Sequence, residues 1–168
     1  MIWVAISGSR KVDQQVEHDV REATRGVFDR GGGIVVGGAL GVDYIATDEI
    51  LRLDPTASRI KIYLPVTLEL YASHYRRRAD EGAISDQEAE TLIFQLERVK
   101  HLNSSALIEN LHNTVVNEKT YFERNTVVLE ASTELLAFHV NESPGTKDTL
   151  EKAERRRMPV KKFTYTIQ

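Results

Sequence analysis

The 168-residue sequence contains no cysteine. Disulfides, thiolate metal sites and cysteine nucleophiles are excluded together. It also lacks any apolar run near the ~20 residues that a membrane-crossing helix requires. The opening segment Met-Ile-Trp-Val-Ala-Ile has no basic region and turns polar at Ser7, so it does not read as a secretory signal. A cytoplasmic chain is expected. A basic excess is missing as well: 22 Lys and Arg stand against 25 Asp and Glu, a net charge of −3. Nucleic-acid binders usually carry a basic surplus, so a DNA- or RNA-wrapping surface is disfavoured. His18, His74, His101, His112 and His139 show no metal-ligand spacing, and no Walker A loop, nucleophile elbow or G-x-G-x-x-G is present. No metal or cofactor is expected.

What remains is an ordinary globular composition, 41% apolar and 28% charged, enough for one domain over residues 1–168. Ile2 to Ile6 is a short apolar run closed by Ser7-Gly8-Ser9-Arg10, the pattern of a strand buried on both faces. Val16, Val20, Ala23, Val27 and Phe28 then recur at helical spacing, and Gly31-Gly32-Gly33 stops them. Ile34 to Val36 is a second buried strand, followed by Gly37-Gly38-Ala39-Leu40-Gly41 and a helix from about Val42 to Leu53. Arg59 to Leu64 is a third strand. This β-α-β-α-β rhythm predicts a parallel sheet with right-handed crossovers.

The rhythm breaks over residues 66–118, which read as a helical insertion. Leu68 to about Ala83 is helical in part, and Ser85 with Glu88 forms a capping box for a helix through Val99. Another helix is predicted from Val115 to Ala131, a fourth strand from Leu135 to Val140, a last helix from Thr146 to Arg157 and a last strand from Val160 to Thr166. The expected fold is a Rossmann-like α/β sheet of order 3-2-1-4-5, with helices on both faces.

Three loops carry the candidate chemistry, each joining a strand's carboxyl end to a helix start. They are Ser7-Gly8-Ser9-Arg10, Gly37 to Gly41, and Ser143-Pro144-Gly145-Thr146. Glycine clears the approach of backbone N–H groups to a ligand, and helix N-termini suit phosphate. In the expected order all three would meet at the switch point where ligands bind. The candidate binding residues are Gly8, Ser9, Arg10, Gly37, Gly38, Ala39, Gly41, Asp43, Arg124, Asn125, Ser143, Gly145 and Thr146. Asp43 also reads simply as a helix-cap residue. Arg76-Arg77-Arg78 and Arg155-Arg156-Arg157 read as a solvated face and a dipole-complementing helix end.

Gly8-Ser9-Arg10, Gly37-Gly38-Ala39-Leu40-Gly41-Val42-Asp43, Arg124-Asn125 with Leu129-Glu130-Ala131-Ser132, and Gly145-Thr146 before a helix ending near Pro159-Val160 together resemble the SLOG superfamily. That group includes the DNA-processing Smf proteins and the Lonely Guy phosphoribohydrolases. The resemblance covers both ends of the chain, and residues 66–118 match nothing in it. The second loop and Arg124-Asn125 are similar to the Smf pattern. Lonely Guy enzymes carry P-G-G-x-G-T-x-x-E after the fourth strand. Here Glu142-Ser143 replaces the glycine pair and Thr149 stands in the glutamate's place.

The resemblance implies a phosphate-binding crevice, and a homodimer as the family-level expectation. The leading expectation is binding of a nucleotide or nucleotide derivative. A nucleoside 5′-monophosphate N-glycosidase is the alternative, with Arg124, Glu130 and Glu142 as catalytic candidates and Asp148 as a further carboxylate. Single-stranded DNA binding of the Smf kind, through Arg10, Arg76 to Arg78 and Arg124, ranks third on charge.

Overall fold

A computed structural model describes residues 1–168. Strand β1 (Trp3–Gly8) leads to helix α1 (Gln14–Asp29), β2 (Gly33–Val36), α2 (Val42–Leu53) and β3 (Ile60–Tyr63). Helices α3 (Leu68–Asp80) and α4 (Asp86–Leu102) follow, then a single 3-10 turn (Ser104–Ala106) and β4 (Leu107–Ile108). The chain closes with α5 (Glu118–Glu130), β5 (Glu134–Val140), α6 (Pro144–Arg155) and β6 (Val160–Tyr165). No helix is long and apolar enough to cross a membrane.

All six strands are parallel, in the order β4-β3-β2-β1-β5-β6. The expected order 3-2-1-4-5 differs by one edge strand. Leu107 and Ile108 pair with Ile62 and Tyr63, so residues 66–118 hold a strand as well as helices. Two residues are too short for hydrophobic alternation to reveal them. The direction of winding reverses between β1 and β5, which lie side by side with Ser7 opposite Ala137 and Gly8 opposite Phe138.

Alternation along the strands divides the core. Val4, Ile6, Ile34, Val36, Ile60, Ile62, Phe138 and Val140 face one side and pack with α1 to α4. Ala5, Val35, Leu135 and Ala137 face the other and pack with Val128 and Leu129 of α5 and with Leu150 and Ala153 of α6. The first cluster holds 32 buried residues and the second 8, so most of the burial free energy comes from the first side. Over β3 the second side is covered more thinly, by the approach of α5 and by Lys61, whose Nζ lies 4.2 Å from the Trp3 ring centroid.

Caps fix the helix starts. Asp13 accepts from Val16 N, Thr67 from Leu70 N, and Ser85 with Glu88 forms the expected capping box. Helix α5 begins at Glu118 rather than Val115, because Asn117 accepts from Thr120 N and ends the extended approach. Helix α6 begins at Pro144 rather than Thr146, with proline in the first turn where no N–H partner is lost.

Candidate functional site

The parallel sheet sends every strand's carboxyl end to the same edge, and β1 and β5 flank the switch point there. The loops after β1, β2 and β5 meet at that edge around a crevice of about 420 Å3. Ser7, Gly8, Ser9 and Arg10 line one wall, Gly37, Ala39 and Asp43 the floor, and Ser143 to Thr146 with Thr149 the opposite wall. Helix α5 closes the crevice with Glu118, Tyr121, Phe122, Arg124, Asn125 and Val128, and α3 contributes Tyr75.

Two glycines of the second loop make this arrangement sterically possible. A Cβ on Gly37 would fall 2.5 Å from the Arg124 guanidinium carbon, so only glycine lets that side chain lie on the loop. Gly41 has φ +81° and ψ −122°, a backbone conformation nearly restricted to glycine, and a Cβ would overlap the Ser9 and Arg10 backbone. This contact seats the start of α2 under the first loop, where Val42 N donates to Ser9 O.

Arg124 is buried and donates to the Gly37 carbonyl, with its guanidinium carbon 5.3 Å from the Tyr121 ring centroid. Beside it, Asp43 accepts from Gly37 N and Ala39 N, both at 3.2 Å. Burial pushes the Asp43 carboxyl up to about 6, against the pull of Arg124 and of the two amides. Asp43 therefore holds the second loop in shape rather than capping α2 through its own helix. Asn125 lines the crevice, yet its amide is engaged with Asp148 Oδ2 at 3.2 Å and with Arg124 Nε at 3.3 Å.

Helices α2 and α6 both begin at the crevice without a side-chain cap. The Ser143 hydroxyl donates to the Thr146 hydroxyl at 2.9 Å instead of turning onto the backbone. The first-turn N–H groups of α6 thus face the crevice, an anion-binding geometry joined by the positive end of the helix dipole.

Gly38 and Gly41 shape the second loop from behind and do not line the crevice. Neither do two of the catalytic candidates. Glu130 ends α5 on the surface, 3.5 Å from Arg156, and Glu142 is an exposed residue with φ +54°. Asp148 is held by Lys152 at 2.8 Å. Sequence reasoning missed Tyr75, Glu118, Tyr121 and Phe122. For the last three the signal was a helical face: Glu118, Tyr121, Phe122, Asn125 and Val128 fall at spacings of three and four.

The crevice adjoins a second hollow of about 260 Å3, which shares Arg10, Tyr75 and Tyr121 and adds His74, Arg78, Ala83 and Ile84. Burial, then the neighbouring Arg77 and Arg78, hold His74 below its ordinary imidazole range, and Arg10 and Arg78 are the positive charges that line the hollow. Tyr71 donates to the Gly38 carbonyl at 3.0 Å, and its hydroxyl lies 3.3 Å from that of Tyr75. The segment over 66–118 is thereby tied to the second loop.

No protein-family model and no curated protein matches the sequence. Two solved structures share the fold. DNA processing protein A from Helicobacter pylori, described for its single-stranded DNA binding mode, is 20% identical with a TM-score of 0.69 over 96% of this chain. DNA processing protein A from Streptococcus pneumoniae is 13% identical with a TM-score of 0.53 over 95% of this chain. The chain spans 64% and 58% of their respective lengths.

Proposed function

We propose that the chain binds single-stranded DNA, taking one nucleotide unit into the crevice and leading the strand into the adjoining hollow. The observation that carries this reading is the continuity of the two hollows through Arg10, Tyr75 and Tyr121. A positively charged track with interleaved aromatic rings suits a single strand, whose bases stack while its phosphates meet cations. The uncapped start of α6 takes one phosphate, and Arg10 and Arg78 face the next along the track. The aromatic rings of Tyr121 and Phe122 offer the base a stacking surface. The fold shared with a protein described for single-stranded DNA binding supports the same assignment. The net charge of −3 does not oppose it, because Arg10, Arg78 and Arg124 line the two hollows against the carboxylates of Asp43 and Glu118.

Fluorescence anisotropy with a labelled oligothymidylate, across a salt series, tests this. Arg10, Arg78 and Arg124 on phosphates predict a log–log salt slope near −2, so affinity falls roughly 20-fold between about 50 and 200 mM salt. Duplex DNA of the same length binds far more weakly, because its bases cannot enter the crevice. Arg124→Ala lowers affinity by roughly one to two orders of magnitude, the scale of a lost charge-assisted contact. A flat salt response, or binding indifferent to Arg124, overturns the reading.

The confined crevice of about 420 Å3 favours a second reading, a free nucleotide or nucleotide derivative held by the same three loops. It predicts that a nucleoside monophosphate at a hundredfold its Kd stabilises the fold by about 2.7 kcal/mol, with no salt-steep oligonucleotide binding.

A further inference from the structure

Glu118 is one of only two carboxylates that line the crevice, and the two differ in what they do. Asp43 is buried and accepts from the loop amides of Gly37 and Ala39. Glu118 is exposed in the first turn of α5 and has no hydrogen-bond or ion-pair partner within the protein. Around it the crevice offers donors: the first turn of α6, the arginines and the hydroxyls. A free carboxylate facing an anion-binding cradle weakens phosphate binding unless some part of the ligand donates to it.

Its position on α5 indicates which part. Tyr121 and Phe122 follow at spacings of three and four, so they share a helix face with Glu118. Side chains on a helix lean toward its N-terminus, which carries both rings toward the turn that bears Glu118. A base stacked on either ring lies beside the same helix face as the carboxylate, within reach of its in-plane edge. The bases differ sharply in what that edge offers. Guanine presents adjacent N1–H and N2–H donors that a carboxylate accepts together. Adenine and cytosine present one amino donor beside an acceptor, and thymine presents one N–H flanked by two carbonyls.

We propose that Glu118 is a specificity-determining residue that reads the base edge and selects guanine over thymine in the crevice. This rests on the reading above that the crevice holds a nucleotide unit. An acidic residue at a helix start also favours the dipole, and that role alone changes stability without touching base preference.

Two measurements on the full chain decide it. Anisotropy compares an oligothymidylate with the same strand carrying isolated guanines, spaced so that no quadruplex forms. Thermal shift compares guanosine and thymidine 5′-monophosphates. The wild type is expected to favour guanine at least fivefold in one or both. Glu118→Gln is expected to collapse that ratio to below twofold, while thymidine-strand affinity rises as a negative charge leaves the crevice. A wild type without preference, or a preference that survives in Glu118→Gln, overturns the role of Glu118 and leaves the nucleotide reading standing. Failure to bind any of the four ligands overturns the nucleotide reading, and the role of Glu118 with it.

Discussion

The crevice of about 420 Å3 at the carboxyl edge and a groove of about 670 Å3 between α1 and β6 are built from different parts of the chain. The groove is bounded by the flank of α1, from Asp19 to Arg30, and by the early residues of β5 and β6. No helix begins there and no glycine turn opens into it, so it gathers no cluster of unpaired helix-start amides. Its charges are largely satisfied: Arg30 pairs with Glu134, and the Tyr165 hydroxyl donates to Asp19 at 2.7 Å. The groove exists because no helix covers β6 on that side, where Phe163 stacks on Phe138 with centroids 4.5 Å apart. The crevice exists because three turns and two uncapped helix starts converge. Volume alone points to the groove. The supply of unpaired donors, cleared by glycine, points to the crevice.

Glycine replacement gives the largest contrast. Gly41→Ala, behind the second loop of the crevice, must place a Cβ at φ +81° against the Ser9 and Arg10 backbone. Backbone strain and overpacking together cost about 3–5 kcal/mol, a fall in Tm of roughly 10 °C or more by calorimetry. Gly145→Ala, at a position where nothing lies within 4 Å, is expected to leave Tm nearly unchanged. Equal losses from the two variants would mean that the second loop is not the constrained element described here.

Buried charge separates the two hollows next. No groove carboxylate is buried as Asp43 is, with Glu22 exposed and Asp19 and Glu134 half-buried. In the folded protein Asp43 keeps its proton up to about pH 6, whereas the unfolded chain releases it near 3.8. Between those values the native state binds more protons, so stability falls as pH rises, and the contribution is level above about pH 6. Integrated over that window the loss is about 2–3 kcal/mol. Urea denaturation of wild type and Asp43→Asn across pH 4 to 7 isolates it. The difference between the two curves is expected to slope within the window and flatten above it; a level difference throughout would remove the buried-carboxylate account.

The same contrast explains what could be read in the sequence. Apolar runs ending in Gly and Ser clusters mark β-to-α turns, so the three loops, their strands and their meeting at the switch point were legible. The edge strand Leu107–Ile108 was not, because its two residues carry no period. Val115 and Val116 extended the apolar pattern ahead of α5, yet Val115 is 57% exposed and Asn117 sets the helix start. Tyr75, Tyr121 and Phe122 carry no such signal, because aromatic residues at helical spacing are usually core. Glu130 stood near the fourth-strand motif in sequence, but the helical turn carries it away to Arg156. Proximity along the chain is a poor guide to which carboxylate faces a cavity, and the periodicity of α5 would have been a better one.

Gly26 supplies the smallest effect and the cleanest control. It lines the groove from the last turn of α1, and a Cβ there would meet nothing within 4 Å. Glycine inside a helix costs about 0.5–1 kcal/mol relative to alanine, through the backbone freedom it loses on folding. Gly26→Ala is therefore expected to raise stability by about that amount, a gain of roughly 1–4 °C in Tm. Its oligonucleotide affinity should match the wild type at every salt concentration, because the groove lies away from the loops that hold the strand. A stabilised variant with weakened binding would place the ligand in the groove after all. It would also show that the larger hollow, lined by the early residues of β5 and β6, outweighs the convergence of loops at the other.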